Sequence, residues 1–179
     1  MLSLGLALED AIAGPMMRSG SFSDGRDIGV VYNMPGHEAA TVLSMSGGVG
    51  AQYTPVAGWA QSILYHRDTL QDESWRGALA VALGGDASVA TNGFWSALTI
   101  ATTLQLPMLF FIEDNGYGIS VTSDMQTPGR NIAANLESFS GLAIFDGDDT
   151  QTASLSMKSG VVFRLSLDFR PPQPGIASP

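Results

Sequence analysis

Two residues with hard oxygen side chains, Asp86 in Leu83-Gly84-Gly85-Asp86-Ala87-Ser88 and Asn115 in Glu113-Asp114-Asn115-Gly116-Tyr117, stand 29 positions apart. A carboxylate, an amide carbonyl and a backbone carbonyl form a donor set that suits magnesium or calcium and not zinc. Three such ligands leave about half of an octahedron open. An anion such as a diphosphate completes it, aided by the amides and positive dipole end of a helix expected to begin near Asn92. The same residue types are favoured at caps and turns, so Asp86 reads equally as a cap and Asn115-Gly116 as a turn.

What must position the pair is a strand, loop, helix, strand unit. Leu79 to Leu83 is a short apolar run closed by Gly84-Gly85, and Met108 to Ile112 is a second, opened by Pro107 and closed by Glu113-Asp114-Asn115-Gly116. Continuous apolar runs predict strands buried on both faces. Between them Phe94, Leu98, Ala101 and Leu104 recur at steps of four, three and three, which places them on one helical face. Such a crossover returns the chain to an adjacent parallel strand, roughly 5 Å away. A third run, Leu142 to Phe145, ends in Asp146-Gly147-Asp148-Asp149. Polar groups therefore gather at the carboxyl edge of the sheet, where open α/β sheets bind ligands.

Elsewhere the signals are weaker. A short helix is expected over Leu4 to Met17, stopped early by Gly14-Pro15, then a Ser, Gly and Asp loop from Ser19 to Asp27. Met45 to Gly50 is a Gly-rich loop before a buried helix over Ala51 to Leu64, with Pro55 in its first turn, and Arg67 to Arg76 reads as a polar surface connection. After Thr152 the pattern fades; Val161 to Phe169 reads as one more strand and Pro171 to Gly175 as a tail. The domain expected is therefore 1–152, followed by an atypical tail over 153–179. Met16, Met17, Met34 and Met45 read as fillers of packing gaps, the three tryptophans as core or interface residues, and His66 as exposed.

With 179 residues and 45% hydrophobic content the chain is large enough to bury a core as one globular domain. Eight basic against 17 acidic residues give a net charge of −9, which argues against nucleic acid and anionic membrane surfaces as partners. An anionic ligand is still accommodated if a divalent cation carries the attraction. The absence of cysteine excludes disulfides, thiolate catalysis and thiolate metal sites. The apolar start, Met1 to Leu8, has no basic flank, and the longest apolar stretch is far too short to cross a bilayer, so the expectation is a soluble, cytoplasmic chain. Asp146 to Asp149 does not open an EF-hand loop, because Met157 stands where the twelfth-position Glu belongs.

The series Gly85-Asp86-Ala87-Ser88, Phe94-Trp95-Ser96-Ala97-Leu98 and Leu106 to Ser120 resembles the thiamin diphosphate motif of the alpha subunit of 2-oxo acid dehydrogenases, the decarboxylating component of the pyruvate and branched-chain complexes. That motif opens with Gly-Asp-Gly and ends with Asn-Asn. Asn33-Met34-Pro35-Gly36-His37, Ser46 to Gln52 and Asp146 to Asp149 are similar to further family segments, in order, so the resemblance covers roughly residues 24 to 152. It implies the thiamin diphosphate-binding fold, α/β with a doubly wound, mostly parallel sheet, here truncated at both ends.

Carried over by position, the resemblance implies that Asp86, the Asn115 side chain and the Tyr117 main-chain oxygen bind Mg2+. Ala87 and Ser88 would approach the diphosphate of thiamin diphosphate through main-chain groups, and Gly47 and Val49 would contact the aminopyrimidine. Ser46 and Gln52 match potassium ligands of branched-chain members, but Ala51 replaces a threonine there, which leaves that ion open. His37 looks like a histidine near the cofactor and is the candidate catalytic residue; read without the family it is a loop histidine satisfied by a backbone carbonyl. Ala87 stands where the family has glycine and so requires an ordinary backbone conformation. Asp114 stands for the first asparagine, which does not ligate the metal.

The implied activity is oxidative decarboxylation of a 2-oxo acid, with the acyl group passed to a lipoyl-bearing acyltransferase and a beta subunit completing the cofactor site. Met34-Pro35-Gly36-His37 leans slightly toward branched-chain acids over pyruvate. The family's upstream Tyr-Arg pair and downstream His-rich loop have no counterpart here, so a fragment or a shifted reading frame is expected. Two alternatives follow: an inactive domain that keeps only cofactor or partner binding, and an enzyme of the transketolase type.

Overall fold

The computed structural model describes residues 5–20, 24–26, 40–43, 46–148 and the backbone of 161–166. The chain forms two compact units, Met1–Ala51 and Gln52–Pro179. In the first, α1 spans Leu8–Ala13 with Glu9 and Asp10 in its first turn, where the helix dipole favours acidic groups. The Gly14 amide closes it by donating to the Asp10 carbonyl at 3.2 Å, so the helix stops at Gly14-Pro15 as the sequence predicts. Met16 and Met17 are 55% and 62% exposed; they fill no gap, correcting the expectation for these two. Met34 and Met45 lie outside the described residues.

The second unit is built on a parallel sheet. Its elements are α2 (Tyr53–Leu64), β1 (Ala80–Gly85), α3 (Asp86–Val89), α4 (Asn92–Thr103), β2 (Met108–Asp114), β3 (Tyr117–Gly118), β4 (Val121–Thr122), α5 (Ile132–Leu136), β5 (Ala143–Asp148) and β6 (Val161–Ser166). The sheet order is β1-β2-β6-β5, and every pairing in it is parallel. The last strand, in the region where the sequence pattern fades, inserts between β2 and β5. Thus α/β architecture with a parallel sheet, as the sequence implies, is what the chain adopts.

One sheet face carries the core. Ala80, Ala82, Met108, Phe110 and Ile112 alternate onto it and are buried beneath Tyr53, Ala57, Ala60 and Ile63 of α2, Phe94, Ala97, Leu98 and Ala101 of α4, and Ile132 and Leu136 of α5. Tyr53, Phe94 and Phe110 meet ring to ring, with Phe94 edge-on to both at 5.2 and 5.5 Å. Leu104 departs from the predicted stripe: α4 ends at Thr103, and Leu104 is 48% exposed while Leu106 turns back inside.

The other face corrects the reading of β1 as buried on both sides. Val81 and Leu83 are 44% and 59% exposed, whereas Leu109 on β2 is buried with Leu79, Phe111 and Ala143 against it. Among the described residues of this unit, the helices pack on the first face, so the apolar run of β1 is set by strand propensity and not by two-sided burial.

The connection after α2 also differs from the expectation. A π-helical turn over Tyr65–Thr69 and a 3-10 turn over Glu73–Trp75 hold it, and His66 is half-buried, stacked on Trp75 at 4.4 Å. Trp59 and Trp95 are partly exposed, at 39% and 40%.

Replacing Phe110 by Ala removes the ring that joins β2 to α2 and α4. We expect a loss of about 3–5 kcal/mol, the usual cost of emptying an aromatic core site, read as a lower urea midpoint with an unchanged slope.

Candidate functional site

The carboxyl ends of β1 and β2 are held level by their register, in which Gly85 lies opposite Glu113. Beyond those residues the two strands continue as Asp86 and as Asp114-Asn115. Asp86 opens α3 and is 3% exposed; Ser88, two residues on, is 5% exposed. Ala87 lies in helical backbone, so the alanine is accommodated without a left-handed conformation. The Thr91 hydroxyl donates to the Ser88 carbonyl at 2.7 Å as α3 gives way to α4.

On the β2 side a pair of side-chain-closed turns shapes the chain. Asp114, 6% exposed, accepts the Gly116 amide at 3.0 Å through Oδ1, and Asn115 Oδ1 accepts the Tyr117 amide at 2.9 Å. Gly116 takes the left-handed conformation at φ 77° that this reversal requires. The chain then forms the hairpin β3–β4, with Tyr117 opposite Thr122 and Gly118 opposite Val121.

The hairpin is pressed against α3. A Cβ on Gly118 would lie 2.6 Å from the Ala87 Cβ and 2.7 Å from Gln126 Oε1, so only glycine permits this approach. Gln126 fixes the hairpin by donating from Nε2 to the Val121 carbonyl at 2.8 Å. Ala87 against Gly118 brings α3, which carries Asp86, into contact with β3, which carries Tyr117. Next to it, Asp124 is held below the usual carboxylate range by the Thr122 hydroxyl and by Arg130, whose guanidinium lies 3.2 Å away.

The donor chemistry fits a hard divalent cation: a buried carboxylate from Asp86, an exposed amide oxygen from Asn115 and the Tyr117 carbonyl. Asn115 Oδ1 has a second lone pair beyond the one taken by the Tyr117 amide. Among the described residues no three His, Cys, Asp or Glu side chains converge as a metal cluster.

In the second unit, Asp86, Ala87 and Ser88 thus lie on α3 and Tyr117 on β3, two elements in contact, with Asn115 in the turn that leads into β3. Gly47 and Val49 belong to the first, in an exposed turn where the Ser46 hydroxyl accepts the Gly48 amide at 3.0 Å and Val49 is 66% exposed. His37 lies outside the described residues.

Tyr53 escapes the sequence reading, and Gln52, singled out there only as a match to a potassium ligand, makes a bond that the sequence does not signal. The Tyr53 hydroxyl meets Ser88 Oγ at 2.5 Å, and Gln52 Nε2 donates to the Leu83 carbonyl at 2.9 Å. The only sequence signal was Gly84, whose missing side chain makes room: a Cβ there would collide with the Tyr53 hydroxyl and lie 2.6 Å from Ser88 Oγ. Burial pushes the Tyr53 hydroxyl up to about 12.

Known proteins place the chain in a family and share its fold. The family described as "Dehydrogenase E1 component" matches residues 3–158. The pyruvate dehydrogenase E1 component subunit alpha of Staphylococcus aureus (strain Mu50) is 27% identical over 96 residues, covering 54% of this chain and 24% of that protein, and the Staphylococcus epidermidis subunit (strain RP62A) matches to the same extent. The match spans about a quarter of the length of these relatives. Among solved structures, a transketolase from Leishmania mexicana superposes with a TM-score of 0.64 at 12% identity, over 91% of this chain and 25% of its own, which shows a shared fold.

Two outcomes follow. Gly118→Val forces the hairpin off α3 and costs about 1–3 kcal/mol, as overpacking does, with amide exchange rising first at residues 117–122. For Tyr53, the folded state binds the proton more tightly than the unfolded chain, whose tyrosine titrates near 10. Its contribution is complete below pH 10 and is lost as pH rises toward 12. In chemical melts across that window wild type loses stability faster than Tyr53→Phe.

Proposed function

Because this chain belongs to the dehydrogenase E1 component family, we propose that it provides the magnesium and diphosphate side of a thiamin diphosphate site in an alpha-subunit-like part of a 2-oxo acid dehydrogenase. The observation that supports the reading is the packing of Ala87 on Gly118, which holds α3 against the hairpin that follows the Asn115 turn. Asp86, Asn115 Oδ1 and the Tyr117 carbonyl would hold Mg2+, and main-chain groups of Ala87 and Ser88 would face the diphosphate. Gly47 and Val49 would contact the aminopyrimidine and His37 would stand near the reacting centre; these three are carried by the family resemblance alone.

When bound, thiamin diphosphate supplies the carbon nucleophile and electron sink that decarboxylation of a 2-oxo acid needs. The protein's share is position and electrostatics. Asp86 offers a buried carboxylate to the cation, and in a low-dielectric setting its charge acts more strongly than at the surface. The acyl group would pass to a lipoyl-bearing acyltransferase, and a beta subunit would complete the site. The substrate is a 2-oxo acid: the Met34-Pro35-Gly36-His37 segment favours branched-chain acids, whereas the named relatives act in pyruvate dehydrogenase.

Calorimetric titration with thiamin diphosphate and Mg2+, alone and with a cognate beta subunit, tests this. Wild type should give saturable, magnesium-dependent heat, and Asp86→Ala should weaken binding at least about 100-fold, beyond the usual penalty for outer-shell residues. Equal heats from wild type and Asp86→Ala in both settings would sink the proposal. Binding without turnover in the reconstituted pair would leave a cofactor-binding domain and remove the enzyme.

A further inference from the structure

Two consecutive residues at the head of α2 grip the end of β1. The Gln52 amide bonds the Leu83 carbonyl, and the Tyr53 ring, wholly buried between Phe94 and Phe110, carries its hydroxyl to Ser88 across the gap left by Gly84. Ser88 has one hydroxyl proton, and it goes to the Gly85 carbonyl at 2.6 Å. The Tyr53 hydroxyl must therefore be the donor to Ser88 Oγ at 2.5 Å. A relay runs from Tyr53 to Ser88 to the Gly85 carbonyl, closing a ring around Asp86 and Ala87.

We infer that Tyr53 is a positioning residue which, through Ser88, holds the Gly85–Ser88 turn in the conformation that presents Asp86 to a metal–diphosphate ligand. This rests on the reading of Asp86 as a ligand. Tyr53 itself is enclosed in the core, one residue removed from anything the ligand touches. A turn ordered before binding does not have to be ordered by the ligand, so the relay acts on affinity through preorganisation. Burial makes it effective, because a buried donor that loses its acceptor is costly and the arrangement therefore persists.

Tyr53→Phe keeps the ring and deletes only the donor. In the full chain without ligand, amide exchange at residues 86–88 should rise several-fold while the β2 amides stay unchanged. The dissociation constant for thiamin diphosphate with Mg2+ should rise roughly 5- to 10-fold, the size of one net hydrogen bond. Ser88→Ala, which removes the acceptor, should do the same, and it serves if Tyr53→Phe fails to fold. Ile63→Val, a destabilising change at a buried site elsewhere on α2, should leave both readouts alone. That separates positioning from general loss of stability. Unchanged exchange at 86–88 in both variants overturns the relay whether or not cofactor binds. Faster exchange with unchanged affinity overturns its role in binding. A wild type that binds no cofactor refutes the functional reading, while the exchange experiment still decides the relay.

Discussion

Parallel pairing of β1 with β2, in the register that sets Gly85 opposite Glu113, is the constraint on which the site depends. A slip of one residue would turn Ala80 and Ala82 out of the core and bring Val81 and Leu83 in. It would also move Asp86 relative to the Asn115 turn. The register is held by the small side chains of β1 lying under α2 and the bulky ones of β2 beside them, with the Tyr53, Phe94 and Phe110 rings wedged between. The packing that stabilises this unit and the alignment of its polar edge are therefore one property.

Glycine is used at that edge for approach more than for flexibility. At Gly84 the space a side chain would take is filled by the Tyr53 hydroxyl, and at Gly118 it is filled by Ala87 and Gln126. Each close approach brings one more element onto the four residues of α3: α2 from the core side, the β3–β4 hairpin from the open side. A four-residue helix has little stability of its own. Its geometry is imposed by neighbours, which suits a segment whose backbone must be fixed to be useful.

How much of this is legible from residue order depends on the distance over which each feature is decided. The β1–α4–β2 unit is legible because strand runs and the Phe94, Leu98, Ala101 spacing are local patterns, and Gly-Asp and Asn-Gly punctuate them. The exposed Leu104 is misread because helix ends are set by capping at Thr103 and Leu104 and not by period. The one-sided burial of β1 and the insertion of β6 between β2 and β5 are invisible in sequence, since strand order follows from long crossovers that leave no local trace. Tyr53 reads as an ordinary core aromatic; its hydroxyl acquires a role only through Ser88, 35 positions away. Asn115 and Asp114 are half legible: their turn-forming habit is evident, but only the hairpin packed on α3 turns two adjacent turns into one side of a site.

Charge supplies the last step. A chain with net charge −9 repels an anion at a distance, and the residues gathered at the sheet edge, Asp86 and Asp114, are acidic and buried. Under the proposed function, a ligand carrying a diphosphate would approach such an edge favourably only in company with a cation, which would reverse the local sign and take the carboxylate as ligand. The acidic balance and the hard-oxygen donors thus argue in the same direction: metal and anion should bind together, each raising the affinity for the other, as linkage between two ligands requires.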